Sequence, residues 1–247
     1  MRKLVAGNWK MNGLRVEGAA LARDIAARAK AAPPVAEIVL CPPATLLVPV
    51  GEAIAGSGVA LGAQDCHPEG KGAHTGDISA PMLKDAGCSY VIVGHSERRQ
   101  DHNEGDAVVR AKAAAAVAAG LCAIVCVGET AAERDSGRTE AVVVRQLRGS
   151  LPPKLTAGQL VVAYEPVWAI GSGKTPTPHD VAAVHGRIRD ALRELAAESA
   201  AVRILYGGSV KPANARALLS IADVDGALVG GASLVVADFW AIARGCG

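Results

Sequence analysis

No basic stripe runs through this 247-residue sequence: 26 Lys and Arg stand against 24 Asp and Glu, and no basic run exceeds a pair such as Arg98-Arg99. A polyanion footprint needs clustered positive charge, so nucleic acid is excluded as a partner. Long hydrophobic runs are missing as well. The longest uncharged stretch, Ala113 to Gly128, is 16 residues with Gly120 inside it. That falls short of a membrane span. After Arg2-Lys3 only Leu4-Val5-Ala6-Gly7 precede Asn8, too few for the apolar part of an export signal. The expected location is therefore the cytoplasm, where the six cysteines stay reduced. They are scattered. Only Cys122 and Cys126 lie close together, their spacing is unlike a zinc ribbon, and no His-Cys cluster accompanies them. No metal and no cofactor is expected. Aromatic side chains are few, three Trp, three Tyr and one Phe, yet half of the residues are apolar, which excludes disorder. The length suits one α/β barrel domain spanning residues 1–247.

What is present is alternation. Short β-prone runs fall at Leu4–Ala6, Ile38–Cys41, Val59–Gly62, Tyr90–Val93, Ala123–Val127, Leu160–Ala163, Ile204–Tyr206 and Ala227–Val229. Between them lie helical spacings, among them Val16–Lys30, Asp106–Ala119, Glu133–Leu147 and Pro178–Glu198. Strand starts recur about every 32 residues, the size of one βαβ unit. Near-continuous apolar strands imply burial on both faces and hence a parallel sheet. Eight such units predict a closed (β/α)8 barrel. A doubly wound open sheet is the alternative, but its Gly-rich first turn is replaced here by Gly7-Asn8-Trp9-Lys10.

Two glycine-rich segments are decoys. Gly171-Ser172-Gly173-Lys174-Thr175 resembles the end of a P-loop, but Trp168 stands where the first glycine belongs. Gly56-Ser57-Gly58 starts like a dinucleotide fingerprint and fails at Leu61.

The reactive side chains, by contrast, fall at the carboxyl ends of the predicted strands, the face on which barrel active sites are built. Asn8 and Lys10 follow the first, His95-Ser96-Glu97 the fourth, Glu165 the sixth, Ser209 the seventh, and Gly230-Gly231 the eighth. Ser209 and the glycine pair occupy the usual phosphate position of such barrels, where backbone N–H groups approach an anion. Glu165, at the end of an apolar strand, is a candidate base whose desolvation should raise its proton affinity. His95 precedes a plausible helix start at Ser96-Glu97, and a helix N-terminus disfavours the imidazolium. The neutral ring would polarise a carbonyl. Lys10 supplies positive charge for a developing oxyanion, with Asn8 as a neutral donor beside it. His67, His74, His102, His179 and His185 sit in loop or helix-surface settings and are assigned no role. Together these groups suggest proton transfer beside a carbonyl on a small phosphate ester.

At the same residues the chain resembles the triosephosphate isomerase family. The likeness is carried by Ala6-Gly7-Asn8-Trp9-Lys10-Met11-Asn12, Val93-Gly94-His95-Ser96-Glu97-Arg98-Arg99 and Ala163-Tyr164-Glu165-Pro166-Val167-Trp168-Ala169-Ile170-Gly171. Tyr206-Gly207-Gly208-Ser209-Val210 and Val229-Gly230-Gly231-Ala232-Ser233-Leu234 complete it, in the family's order and spacing. Departures are mild: Ser172 for the usual Thr, Pro176 for a common Ala, and Asn103-Glu104-Gly105 after the arginine pair.

The resemblance implies interconversion of dihydroxyacetone phosphate and glyceraldehyde 3-phosphate through an enediol(ate), a step of glycolysis and gluconeogenesis. It implies Glu165 as the proton shuttle beside a neutral His95. It also implies Glu97 paired with Lys10, Ser96 as a supporting residue, and Cys126 packed behind the site. The segment 166–176, with prolines at both ends, reads as a lid; by resemblance Gly171 donates an N–H to phosphate and Tyr206 helps hold the lid shut. The loop from Gln64 to Ser79 is long for a structureless connection. In the family it enters a neighbouring subunit, with the residue matching Thr75 near the partner's active site, so a homodimer is expected. Two rivals remain open. One is a barrel aldolase with Lys10 as a Schiff-base amine. The other is a silent phosphate binder, which would need Ser209 and the glycines but neither His95 nor Glu165.

Overall fold

The computed structural model describes residues 1–170 and 175–246. Its strands are β1 Leu4–Asn8, β2 Glu37–Cys41, β3 Ala60–Ala63, β4 Tyr90–Val93, β5 Cys122–Val127, β6 Leu160–Tyr164, β7 Arg203–Tyr206 and β8 Gly226–Val229. Each pairs in parallel with the next, and β1 pairs with β8 (Leu4 opposite Gly226), closing the barrel. The helices are α1 Arg15–Ala31, α2 Leu47–Ile54, α3 Ala80–Asp85, α4 Ser96–Asp101, α5 Asp106–Ala118, α6 Ala131–Asp135, α7 Thr139–Ser150, α8 Pro178–Leu195, α9 Pro212–Leu219 and α10 Val236–Arg244. No helix among the described residues is long and apolar enough to cross a membrane. The expected closed barrel is therefore the fold, and the open sheet is excluded.

Strand side chains alternate between two buried regions. In β5, Cys122, Ile124 and Cys126 point into the barrel, while Ala123, Val125 and Val127 pack against the helices. Burial on both faces explains why the strands read as continuous apolar runs rather than alternating ones. Cys41 joins the same barrel interior, a small hydrophobe in a crowded space. At the amino-terminal end of the strands, Arg203 bonds Glu37 at 2.6 Å and Tyr90 donates to the same carboxylate at 2.6 Å. That face is occupied by paired charge; the opposite one is open.

The predicted helix Glu133–Leu147 is two helices. Thr130 and Glu133 form a capping box that starts α6 earlier, at Ala131. Gly137, at φ +70°, then ends it in the left-handed region that favours glycine, and α7 begins afresh at Thr139. Elsewhere the expected strand bounds are met within a residue or two. Segment 64–79 contains only the isolated bridge between His67 and Ser79.

Candidate active site

A cavity of about 350 Å3 opens at the carboxyl ends of the strands, lined by Asn8, Lys10, His95, Glu165, Ser209, Gly230 and Gly231 among others. These are the cavity residues expected from sequence. Gly171 lies outside the described residues, as does the middle of the expected lid. Ser96, Glu97 and Tyr206 stand behind the lining, whereas Thr75 is exposed on the 64–79 loop and lines no part of this cavity.

Lys10 adopts a left-handed backbone, φ +53°. Two side chains pin that conformation. Asn8 Oδ1 accepts the Lys10 N–H at 3.0 Å, and the Gln64 amide donates to the Lys10 carbonyl at 2.8 Å and to that of Cys41 at 2.9 Å. The ammonium is held by Glu97 at 2.5 Å, the pairing the resemblance implied. Its stem passes over Gly230, where a Cβ would stand 3.5 Å from Lys10 Cε.

His95 is the N-cap of α4, its Nδ1 accepting the Glu97 N–H at 3.2 Å. A nitrogen that accepts carries no proton, so the ring's proton sits on Nε2. Nε2 lies 2.8 Å from Glu165 Oε1, and Glu165 Oε2 accepts the Ser96 N–H at 2.9 Å. Both side chains are buried, His95 at 6% and Glu165 at 2% exposure.

Burial pushes the Glu165 pKa up, as expected from sequence, but His95, the Ser96 N–H and Lys10 outweigh it and hold the carboxyl below its ordinary value. The expected rise in proton affinity is thus reversed in this unliganded arrangement, because the carboxylate is fully hydrogen-bonded. For His95, burial pushes the pKa down, and the facing Glu165 and Glu97 charges draw it up beyond the balance. The backbone N–H at Nδ1 opposes a second ring proton. The pair therefore reads as carboxylate plus neutral imidazole, sharing the Nε2 proton. Behind it, burial and the Glu165 charge push the Cys126 thiol far up, leaving it protonated and inert.

The carboxylate's backbone is set by neighbours the sequence reading passed over. A Cβ on Gly128, just after β5, would stand 1.7 Å from the Glu165 carbonyl oxygen; one on Gly207 would stand 2.9 Å from Glu165 Cγ. Arg99 braces the β4 end, donating to Gly94 O at 2.9 Å and Cys126 O at 3.2 Å. Gln64 and Gly128 follow strands directly, so the strand-end rule that found Asn8 and Glu165 could have found them too.

On the phosphate side, Ser233 is fully buried and its hydroxyl bonds Gly230 O at 2.6 Å, fixing the turn that presents Gly230 and Gly231. Asn214 donates to Ser209 O at 3.1 Å. Tyr206 Oη is buried with no partner among the described residues. Near it, Glu129 accepts from Trp168 Nε1 at 2.8 Å and from the Tyr164 hydroxyl at 3.1 Å, which secures the first turn of segment 166–176.

Known proteins are similar to this chain over nearly its whole length. The chain is 60% identical to the triosephosphate isomerase of Xanthobacter autotrophicus (strain Py2), covering 98% of this chain and 96% of that protein. It is 61% identical to that of Rhodopseudomonas palustris (strain BisA53), covering 100% and 98%. The crystal structure of triosephosphate isomerase from Bartonella henselae superposes with a TM-score of 0.92 at 49% identity, over 99% of each chain. With the triosephosphate isomerase family model matching residues 3–246, all eight strands and every strand-end side chain described above included, the chain belongs to the triosephosphate isomerase family.

Proposed function

We propose that this chain interconverts dihydroxyacetone phosphate and D-glyceraldehyde 3-phosphate, with Glu165 moving the proton and His95, Lys10 and Asn8 stabilising the oxygen. The observation that carries the reading is the 2.8 Å contact between a buried carboxylate and a buried imidazole at one cavity wall. The cavity's volume suits a small ligand. Substrate entering it takes over the Nε2–H of His95 through its carbonyl oxygen, which frees Glu165 to turn toward the substrate carbons. The carboxylate then removes a proton from the carbon beside the carbonyl. Negative charge gathers on the oxygen between His95 Nε2 and the Lys10 ammonium. Return of the proton to the neighbouring carbon gives the isomer, and no atom is gained or lost. Ser209, Gly230, Gly231 and Gly171 hold the phosphate. The Schiff-base alternative is disfavoured because a nucleophilic amine needs a free lone pair, and Lys10 is engaged as an ammonium by Glu97. A coupled isomerase assay on the purified chain, without added metal or nucleotide, tests the reading; labelling of Lys10 by borohydride with substrate present would overturn it.

The working unit in this proposal is a homodimer. Met11, Leu14, Val16, Val48 and Met82 are large apolar side chains left exposed, all on segments that follow β1, β2 and β3, as the 64–79 loop does. Exposed apolar groups gathered on one sector mark an association surface. A second cavity of about 530 Å3, bordered by Lys10, Met11, Gln64 and Glu97, offers room for a partner's Thr75 loop in this proposal. Six free thiols suit a reducing cytoplasm. Sedimentation as an active monomer would remove the dimer from this proposal.

A further inference from the structure

We propose that Gln146, on α7, is a positioning residue for the proton-moving carboxylate: it holds Gly128 against the Glu165 backbone. Gln146 is buried, and its amide grips one residue twice. Its Oε1 accepts the Gly128 N–H at 2.7 Å, and its Nε2 donates to the Gly128 carbonyl at 3.1 Å. The two partners fix the amide's orientation, since only the oxygen can meet an N–H and only the NH2 a carbonyl. The catalytic role rests on the isomerase reading above; the clamp itself does not.

The barrel leaves Gly128 without a strand partner on that side. Along β5 the even-numbered residues bond toward β4, as the Cys122 N–H does to Ser89 O at 2.9 Å. The odd-numbered ones bond toward β6: the Ala123 N–H donates to Gln159 O at 3.0 Å, and Val127 O accepts the Glu165 N–H at 2.8 Å. Pairing with β4 stops at Val93, opposite Val125. Beyond that point side chains replace the missing strand. Arg99 donates to Cys126 O at 3.2 Å, and Gln146 takes both main-chain groups of Gly128. Buried main-chain groups need such partners. One turn further along α7, Ser150 accepts from Arg99 at 3.0 Å, so a single helix face serves both residues.

Gly128 transmits this restraint to the base because the two backbones touch. A Cβ on Gly128 would stand 1.7 Å from the Glu165 carbonyl oxygen. Bonds from the Glu165 N–H to Val127 O at 2.8 Å and from the Val167 N–H to Glu129 O at 3.2 Å tie the segments together on either side of that contact. A shift of Gly128 therefore moves Glu165, whose carboxylate must reach both His95 Nε2 and the Ser96 N–H. Packing does not replace the clamp. A cavity of about 220 Å3 is bordered by Gln146, Gly128, Ser96 and Glu165. The end of β5 has room to move there, and the two Gln146 bonds hold it in place.

The test compares Gln146→Met, which keeps the side-chain length and loses both bonds, with Val143→Ala, which removes buried volume from the same helix. Both should lower the melting temperature. Only Gln146→Met should lower kcat, by about tenfold or more, because misplacing a catalytic group by about 1 Å is costly. Its KM and its inhibition by inorganic phosphate should stay within about twofold of wild type, because the phosphate loops follow β7 and β8. Gln146→Asn keeps the amide but is one methylene short, so it should fold and still lose kcat by at least about threefold. An equal kcat in wild type and Gln146→Asn, or a kcat loss in Val143→Ala as large as in Gln146→Met, would overturn the positioning role. So would a loss of phosphate inhibition matching the loss of kcat. A wild-type chain inactive on triose phosphates would instead overturn the isomerase reading, and the positioning role with it.

Discussion

Asn8 Oδ1 accepts the main-chain N–H of Lys10 at 3.0 Å, so the first functional residue of the chain fixes the backbone of the second. The left-handed backbone of Lys10 carries a strain of about 1–3 kcal/mol, which its partners must offset. Gln64 holds the carbonyl of the same residue, in the next peptide. Gln64→Ala should therefore release Lys10 and lower kcat/KM on the order of tenfold to a hundredfold, since small misplacements are expensive in catalysis. Steady-state kinetics beside urea unfolding will show it; unchanged kinetics would mean that Asn8 alone suffices.

The Glu165 carboxylate reaches His95 and Ser96 at once, a geometry that depends on its side-chain length. Glu165→Asp draws the carboxylate back by about 1 Å, and kcat should fall on the order of a hundredfold while KM changes little. A KM effect as large as the kcat effect would assign Glu165 to binding instead.

Gly128 and Gly207 flank the same residue with different consequences. An added methyl at Gly128 meets a carbonyl oxygen at 1.7 Å, and backbone cannot yield without displacing β5 or β6. Gly128→Ala should destabilise by at least about 4 kcal/mol or prevent folding. Gly207→Ala meets the Glu165 side chain at 2.9 Å and Tyr164 O at 3.0 Å. It should fold with a loss of about 1–3 kcal/mol, yet lose activity beyond that, because the carboxylate is pushed. Equal urea midpoints for the two variants would contradict this contrast.

Much of the architecture was legible in the sequence because a barrel strand buried on both faces is apolar throughout, and functional side chains begin where such a run stops. Asn8, His95 and Glu165 announce themselves this way. What was not legible depended on partners distant in sequence. The sign of the Glu165 pKa shift is set by His95 and Ser96, about seventy residues away, and no local pattern carries it. The split between α6 and α7 hinged on one left-handed glycine inside an otherwise helical pattern. His185 reads as a helix-surface residue but is fully buried, as the α8 face on which it stands packs against the barrel.

Burial holds His185 neutral, pushing its pKa down to about 4 against the pull of the Asp223 carbonyl at 2.9 Å. Unfolded, the imidazole titrates near ~6.5, so between these values the unfolded chain binds more protons than the folded one. Stability linked to His185 is therefore complete above the unfolded value and is lost as pH falls through the folded one. The contribution is about 3 kcal/mol. His185→Asn keeps a donor for the Asp223 carbonyl but has no imidazole to protonate. Chemical unfolding at pH 7 and near pH 4 should show a wild-type loss larger than the variant's by about that amount; parallel losses would place the acid sensitivity elsewhere.

Tyr206 makes the last prediction the most discriminating, because removing one oxygen should move stability and activity in opposite directions. Its hydroxyl is buried without a partner among the described residues. It lies beneath Gly208, where an added Cβ would stand 2.2 Å from Tyr206 Oη and 3.1 Å from Pro166 Cγ, beside the first residue of segment 166–176. A buried hydroxyl left unpaired costs about 1–3 kcal/mol. Tyr206→Phe should therefore leave the unliganded fold as stable as before, or more so. If the hydroxyl finds its partner only when the segment closes over substrate, the same change weakens closure and exposes the enediolate to water. Then kcat/KM should drop on the order of tenfold or more, and phosphate elimination to methylglyoxal should rise relative to isomerisation. Urea unfolding together with measurement of both products from one substrate decides the matter. A variant that loses stability while keeping its rate and product ratio would mean that the hydroxyl is bonded in the resting fold and has no part in closure.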